Sequence, residues 1–199
     1  MELSPLAREK LARAGELSAA EKENLKHAEE LTTILSDFFT LKLDNEGLWL
    51  KLKKFKDEGQ ENLVRETQLR IISTLNLGIS DFDLDRYGSG LLGLETLKET
   101  QRYSEIENNL NNIKKLRQQY QQEKTSKFTA IKDSIRLQVK MAAQKIAAQQ
   151  GRNNAAVDVE GSIEATARSS PQWRDFSSKF EKASNQKFAD ILAKLKQYV

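Results

Sequence analysis

Residues 91–150 read LLGLETLKETQRYSEIENNLNNIKKLRQQYQQEKTSKFTAIKDSIRLQVKMAAQKIAAQQ, with no proline and, after Gly93, no glycine. An uninterrupted run of good helix formers predicts one continuous helix over about 91–150. At about 1.5 Å per residue it would extend roughly 90 Å. A rod of that length cannot lie inside one small core. It must join two packing sites, extend from one, or pair with another chain. Its apolar stripe is Ile106, Leu110, Ile113, Arg117, Tyr120, Lys124, Phe128, Ile131, Ile135, Val139, Ala142 and Ile146, 40 residues in 11 steps. The mean step of about 3.64 follows a nearly straight helix and not the step of about 3.5 of a heptad zipper. Arg117 and Lys124 interrupt the stripe, and between Arg117 and Lys127 the only large apolar residue is Tyr120. The rod therefore reads as two packing sites separated by a solvated, basic middle.

Outward from the rod, turn signals divide the chain into helices. Ser4 and Pro5 open a short helix that Gly15 closes, and Ser18 with Glu21 forms a capping box for the next. That helix is expected to reach about Leu43, with Leu25, Ala28, Leu31, Leu35, Phe38 and Phe39 on its greasy side. Asp44 and Asn45 break and recap the chain. A helix through Leu48, Trp49, Leu52 and Phe55 stops near Gly59, and another runs from Gln60 to Leu77 with Gly78 as its terminating glycine. Ile79–Gly90 is expected as a loop. Beyond the rod, Gly151 and Arg152-Asn153-Asn154 make a turn, a short helix covers Val157 to Arg168, and Ser169 or Ser170 with Pro171 starts the last helix. That last helix carries Trp173, Phe176, Phe180, Ala183, Phe188, Ile191, Leu195 and Tyr198 on one broad face. Folding back, it is expected to lie antiparallel to Phe128–Ile146.

The expected fold is all-α: an elongated helical bundle with one very long helix shared by an N-terminal bundle and a C-terminal antiparallel hairpin. The expected divisions are a net acidic bundle over 1–113, an exposed basic mid-section over 114–127 and a net basic hairpin over 128–199. Residues 1–113 carry 15 Lys+Arg against 21 Asp+Glu, and residues 114–199 carry 17 against 8. That asymmetry suits self-association or an acidic partner, though long helices also need charged solvated faces.

The chain contains no cysteine, which excludes disulfides, thiolate catalysis and sulfur-ligated metals. No stretch approaches the ~20 apolar residues of a membrane span, and the first residues lack a signal-peptide apolar run. A soluble, cytoplasmic protein is expected.

Candidate sites are few. Asp81, Asp83 and Asp85 alternate in the expected loop, a pattern that could converge on calcium. The EF-hand pattern is not met, because Arg86 stands at the glycine position and Leu92 at the position of the bidentate glutamate. The plainer reading is an acidic turn at a helix start. His27 is the single histidine, so a catalytic or metal role would lack partners. Gly88–Gly93 reads GSGLLG, without the following Lys and Ser/Thr of a phosphate loop; its glycines are expected to relax the turn into the rod.

The basic residues Lys114, Arg117, Lys124, Lys132, Arg136 and Lys140 are candidates for an anionic partner. At about 100° per residue, Lys114 and Lys132 fall at about 80° from Ile106, and Arg136 and Lys140 at about 120° and 160°. Trp173, Phe176, Phe180 and Phe188 are candidates for a protein interface. The expected function is a non-catalytic interaction, scaffold or adaptor protein, self-associating through apolar helix faces, with no cofactor. The alternatives are a peripheral binder of anionic membranes or nucleic acid, and a metal protein centred on Asp81–Asp85.

Overall fold

The computed structural model describes residues 19–150 and 159–199. These form seven helices and no strand: α1 Ala19–Phe39, α2 Asn45–Asp57, α3 Glu61–Thr74, α4 Asp81–Glu95, α5 Tyr103–Gln150, α6 Val159–Ser169 and α7 Pro171–Gln197. The fold is all-α. The Ser4–Gly15 helix, the Ser18 cap and the turn after Gly151 lie outside the described residues.

Of the described residues, one compact unit takes those up to Thr74, Asp81–Tyr103 and Val199, and a second takes Leu75–Ser80 and those within Ser104–Tyr198.

The first unit is a four-helix bundle in which α2 contacts α1, α3 and α4. Asp44 caps α2, accepting from the Gly47 N–H at 2.8 Å, and Gly59 ends it in the left-handed conformation (φ 80°). α1 stops at Phe39, earlier than Leu43, because Leu41 turns left-handed (φ 64°) and the Lys42 and Leu43 N–H groups return to the Asp37 carbonyl. Leu31, Leu35 and Phe38 meet a core shared with Leu48, Leu52, Phe55, Ile71, Ile72, Leu84, Leu91 and Leu94, all buried. Each such side chain contributes about 1.5–3 kcal/mol by leaving water.

Two expectations fail in this unit. Asp81–Gly90 is helix, not loop, and the run from Leu91 is not one rod: Leu91–Glu95 ends α4, and α5 begins only at Tyr103. Gly90 lies inside α4, buried against α1 and α2. A Cβ there would stand 3.1 Å from Asn45 Oδ1 and 3.3 Å from Phe38 Cζ, so this glycine serves close helix approach rather than turn flexibility.

The break after Glu95 is held by distant partners. The Glu95 carboxylate is fully buried. Its Oε1 accepts from Gln68 Nε2 at 3.0 Å and pairs with Lys98 Nζ at 2.6 Å. Its Oε2 accepts from the Arg102 N–H at 2.7 Å, at the entry to α5. Trp49 Nε1 donates to Thr96 Oγ1 at 2.8 Å, fixing the other end of the break.

In the second unit α5 runs for 48 residues, roughly 72 Å. Leu75, Leu77 and Ile79 of the 75–80 link are buried. The link is held by Arg117 of α5, whose Nε donates to the Leu77 carbonyl at 3.4 Å and whose Nη2 donates to the Ile79 carbonyl. Arg117 is only 7% exposed, so it is a buried anchor and not part of a solvated stretch.

α6 and α7 follow each other along α5, both antiparallel to it. Ser170 caps α7, accepting from the Trp173 N–H at 3.2 Å, with Pro171 in its first turn. α6 occupies the level of α5 from Phe128 to Arg136, with Glu160 on Arg136 at 2.5 Å and Arg168 over the Phe128 ring at 4.9 Å. α7 therefore starts at Phe128 and runs toward Tyr120, not along Phe128–Ile146 as expected. The 11 residues of α6 span about 16 Å and fill that stretch first.

Candidate functional site

The hairpin of α5 with α6 and α7 carries a run of aromatic side chains in mutual contact. Five rings form a continuous chain. Tyr120 stacks on Phe180 at 5.3 Å and 4°, Phe180 on Phe176 at 5.0 Å and 14°, Phe176 meets Trp173 at 5.7 Å, and Trp173 meets Phe128 edge-on at 4.8 Å. All five are half-buried. Two helices cannot enclose rings of this size, since each offers 150–250 Å². Phe188 differs: it is 6% exposed and belongs to the hairpin core, which corrects its reading as an interface residue.

The helical register separates two flanks, and the ring chain touches the ion-paired one at both ends, where Lys124 Nζ donates to the Tyr120 hydroxyl at 2.9 Å and Arg168 lies 4.9 Å from the Phe128 ring. On one, Lys124 pairs with Glu181 at 2.8 Å, Lys132 with Glu160 at 3.3 Å and with Glu164 at 3.5 Å, and Arg136 with Asp133 at 2.6 Å and with Glu160. The Glu160 carboxyl is held below the usual range by Arg136 and then Lys132, and Glu164 by Arg168 and then Lys132.

The basic band expected from the sequence is accordingly not one open surface. Arg117 is buried, and Lys124, Lys132 and Arg136 are paired with carboxylates, while Lys114 and Lys140 are exposed. Paired cations have less charge to offer a phosphate backbone or an anionic membrane.

On the other flank the aromatics are edged by cations. Lys127 Nζ lies 5.9 Å from the Phe176 ring. Along α7, Ala183, Lys187 and Lys194 fall within about 20° of Phe176 at 100° per residue, and all three are exposed. Lys127, Lys187 and Lys194 have no carboxylate partner among the described residues. Sequence reading places Lys127 in the basic run of the long helix but misses Lys187 and Lys194; their spacing of eleven and eighteen residues on the Phe176 line, after Ala183 at seven, was the available signal.

The Lys124–Glu181 pair has a pH signature. A hydrogen bond from Lys124, then one from Ser177, holds the Glu181 carboxyl below its ordinary value. Hydrogen bonds with Glu181 and then Tyr120 hold the Lys124 ammonium above its own. The Glu181 contribution is present above the ordinary carboxylate pKa of about 4.3 and is lost as pH falls through the depressed folded value; that of Lys124 is lost only as pH rises through its raised value above about 10.4. Thermal melts followed by circular dichroism should show hairpin stability level from about pH 5 to 9 and falling below. Glu181→Gln should flatten the acid limb, and an unchanged limb would assign it to other carboxylates.

Asp81, Asp83 and Asp85 lie in the first two turns of α4. Neighbours two apart on a helix point about 200° away from each other, so the three carboxylates do not converge on a calcium ion. Among the described residues no group of three His, Cys, Asp or Glu is placed to hold a metal. His27 packs edge-on against Phe55 at 5.6 Å. Among the described residues no helix is long and apolar enough to cross a membrane.

Residues 49–199 match the family described as "Family of unknown function (DUF6657)", and the chain belongs to that family. No curated protein and no solved structure matches it significantly.

Proposed function

We propose that this member of the family is a non-catalytic helical interaction protein, a scaffold or adaptor, that works by packing another helix against the open aromatic flank of its hairpin. The observation that supports this reading is the half-buried ring chain from Tyr120 through Phe180, Phe176 and Trp173 to Phe128. A third helix laid along it would complete the enclosure that two helices leave unfinished. The ion-paired flank acts as the hairpin's clasp. Self-association, expected from the sequence, would use this same flank.

Site-specific photocrosslinking tests the reading. A photoreactive residue at Ala183, exposed on the aromatic flank, should form a protein adduct in cells; the same residue at Lys115, exposed on the far side of α5, should not. Mass spectrometry of the adduct identifies either a second copy or another protein. Equal yields from both positions, or none from Ala183, would remove the interaction reading.

A further inference from the structure

We infer that the occupant of the aromatic flank is an acidic, amphipathic helix of another protein. This rests on the interaction reading above and adds the chemistry of the partner. The flank has an apolar centre, Phe176 and Phe180 stacked with Tyr120. Its edges carry Lys127 on α5 and Lys187 and Lys194 on α7, all exposed and without a carboxylate partner among the described residues. The acids Glu160, Glu164 and Glu181 are engaged in ion pairs, and the exposed acids on this side, Glu123 one turn from Lys127 and Asp190 between Lys187 and Lys194, leave the lysines in excess by three to two. Apolar side chains at i, i+3 and i+4 of a partner helix would meet the rings, and carboxylates on both sides of that stripe would meet the lysines. From Phe176 to Lys194 the flank is about 27 Å long, five turns of helix.

A second copy is the competing occupant, and charge opposes it. The second unit carries 17 Lys+Arg against 10 Asp+Glu, counted over Leu75–Ser80 and Ser104–Tyr198. An isologous dimer presents the same patch to itself. It would bring the lysine edges of two copies together.

The test uses the full chain and two synthetic helical peptides of about 18 residues with the same leucine stripe, one flanked by glutamates and one by lysines. Fluorescence anisotropy should show the glutamate peptide binding at least about ten-fold tighter, with the gap narrowing as salt rises. The triple variant Lys127→Glu, Lys187→Glu, Lys194→Glu alters exposed side chains only and should reverse the order while its circular dichroism stays unchanged. Equal binding of both peptides, no binding of either, or an order unmoved by charge reversal would overturn the inference. An Ala183 adduct with a second copy would do the same and yet leave the interaction reading standing. Loss of the Ala183 adduct itself would remove both.

Discussion

Arg117→Ala is expected to destabilise the second unit by about 3 kcal/mol, the size of losing charge-assisted hydrogen bonds to buried carbonyls. The guanidinium serves the Leu77 and Ile79 carbonyls of a link whose side chains are themselves buried. Alanine leaves both oxygens without that donor and removes the packed aliphatic stem. For a chain of this size the fall corresponds to roughly 6–12 °C in melting temperature. Arg117→Met separates the two effects, since it keeps most of the stem and supplies no donor. It should retain less than half of the lost stability. Arg117→Lys keeps the charge, but one ammonium lacks the planar fork that reaches two carbonyls, so it should fall between wild type and alanine. Denaturant titration measures all three, and a methionine variant as stable as wild type would show that the carbonyl bonds contribute nothing. Amide exchange over Leu75–Ser80 should accelerate in the same order.

Glu95→Ala is expected to cost about 3 kcal/mol in the first unit, within the range for removing one partner of a buried pair. Three donors lose this carboxylate together, Gln68 Nε2, Lys98 Nζ and the Arg102 N–H, though Gln68 Nε2 keeps the Leu91 carbonyl at 3.2 Å. Glu95→Gln keeps an acceptor for Arg102 but sets an amide NH₂ toward one of the other donors, so roughly half the loss should remain. Lys98→Ala should do much less, because Lys98 is partly exposed and leaves Glu95 two of its three partners. If Glu95→Ala and Lys98→Ala were equal in effect, the carboxylate would be acting only through the ion pair and not as the organiser of the break. The alanine variant should also gain helical ellipticity across 96–102, because the local sequence there favours helix.

That last expectation bears on what a sequence reader can see. The helix ends set by local chemistry were legible: the recapping at Asp44-Asn45, where Asp44 is the cap, the stop at Gly59, and the Ser-Pro start of the last helix, where Ser170 rather than Ser169 caps. Each acts within a few residues of itself. The aromatic part of the candidate site was legible for the same reason, since Trp173, Phe176 and Phe180 share a face by spacing alone. Their partners on α5 were not, because the register depends on how much of α5 the short α6 covers. The cationic edge was hidden by a longer basic run nearby, most of which turned out to be buried or paired.

Composition and periodicity by themselves determined that this is an all-α protein with a very long helix and an aromatic last helix folded back on it. Helix propensity and apolar spacing are short-range properties, so they survive any arrangement of the rest of the chain. Tertiary structure decided where the long run breaks, what Arg117 does and which lysines stay unpaired. Gln68 and Trp49 stand 27 and 47 residues from the groups they hold at the break. The carbonyls that bury Arg117 are 40 and 38 residues away. A break with neither proline nor glycine is unfavourable locally, and only contacts made by the folded chain across such separations can outweigh the helix that the sequence alone prefers.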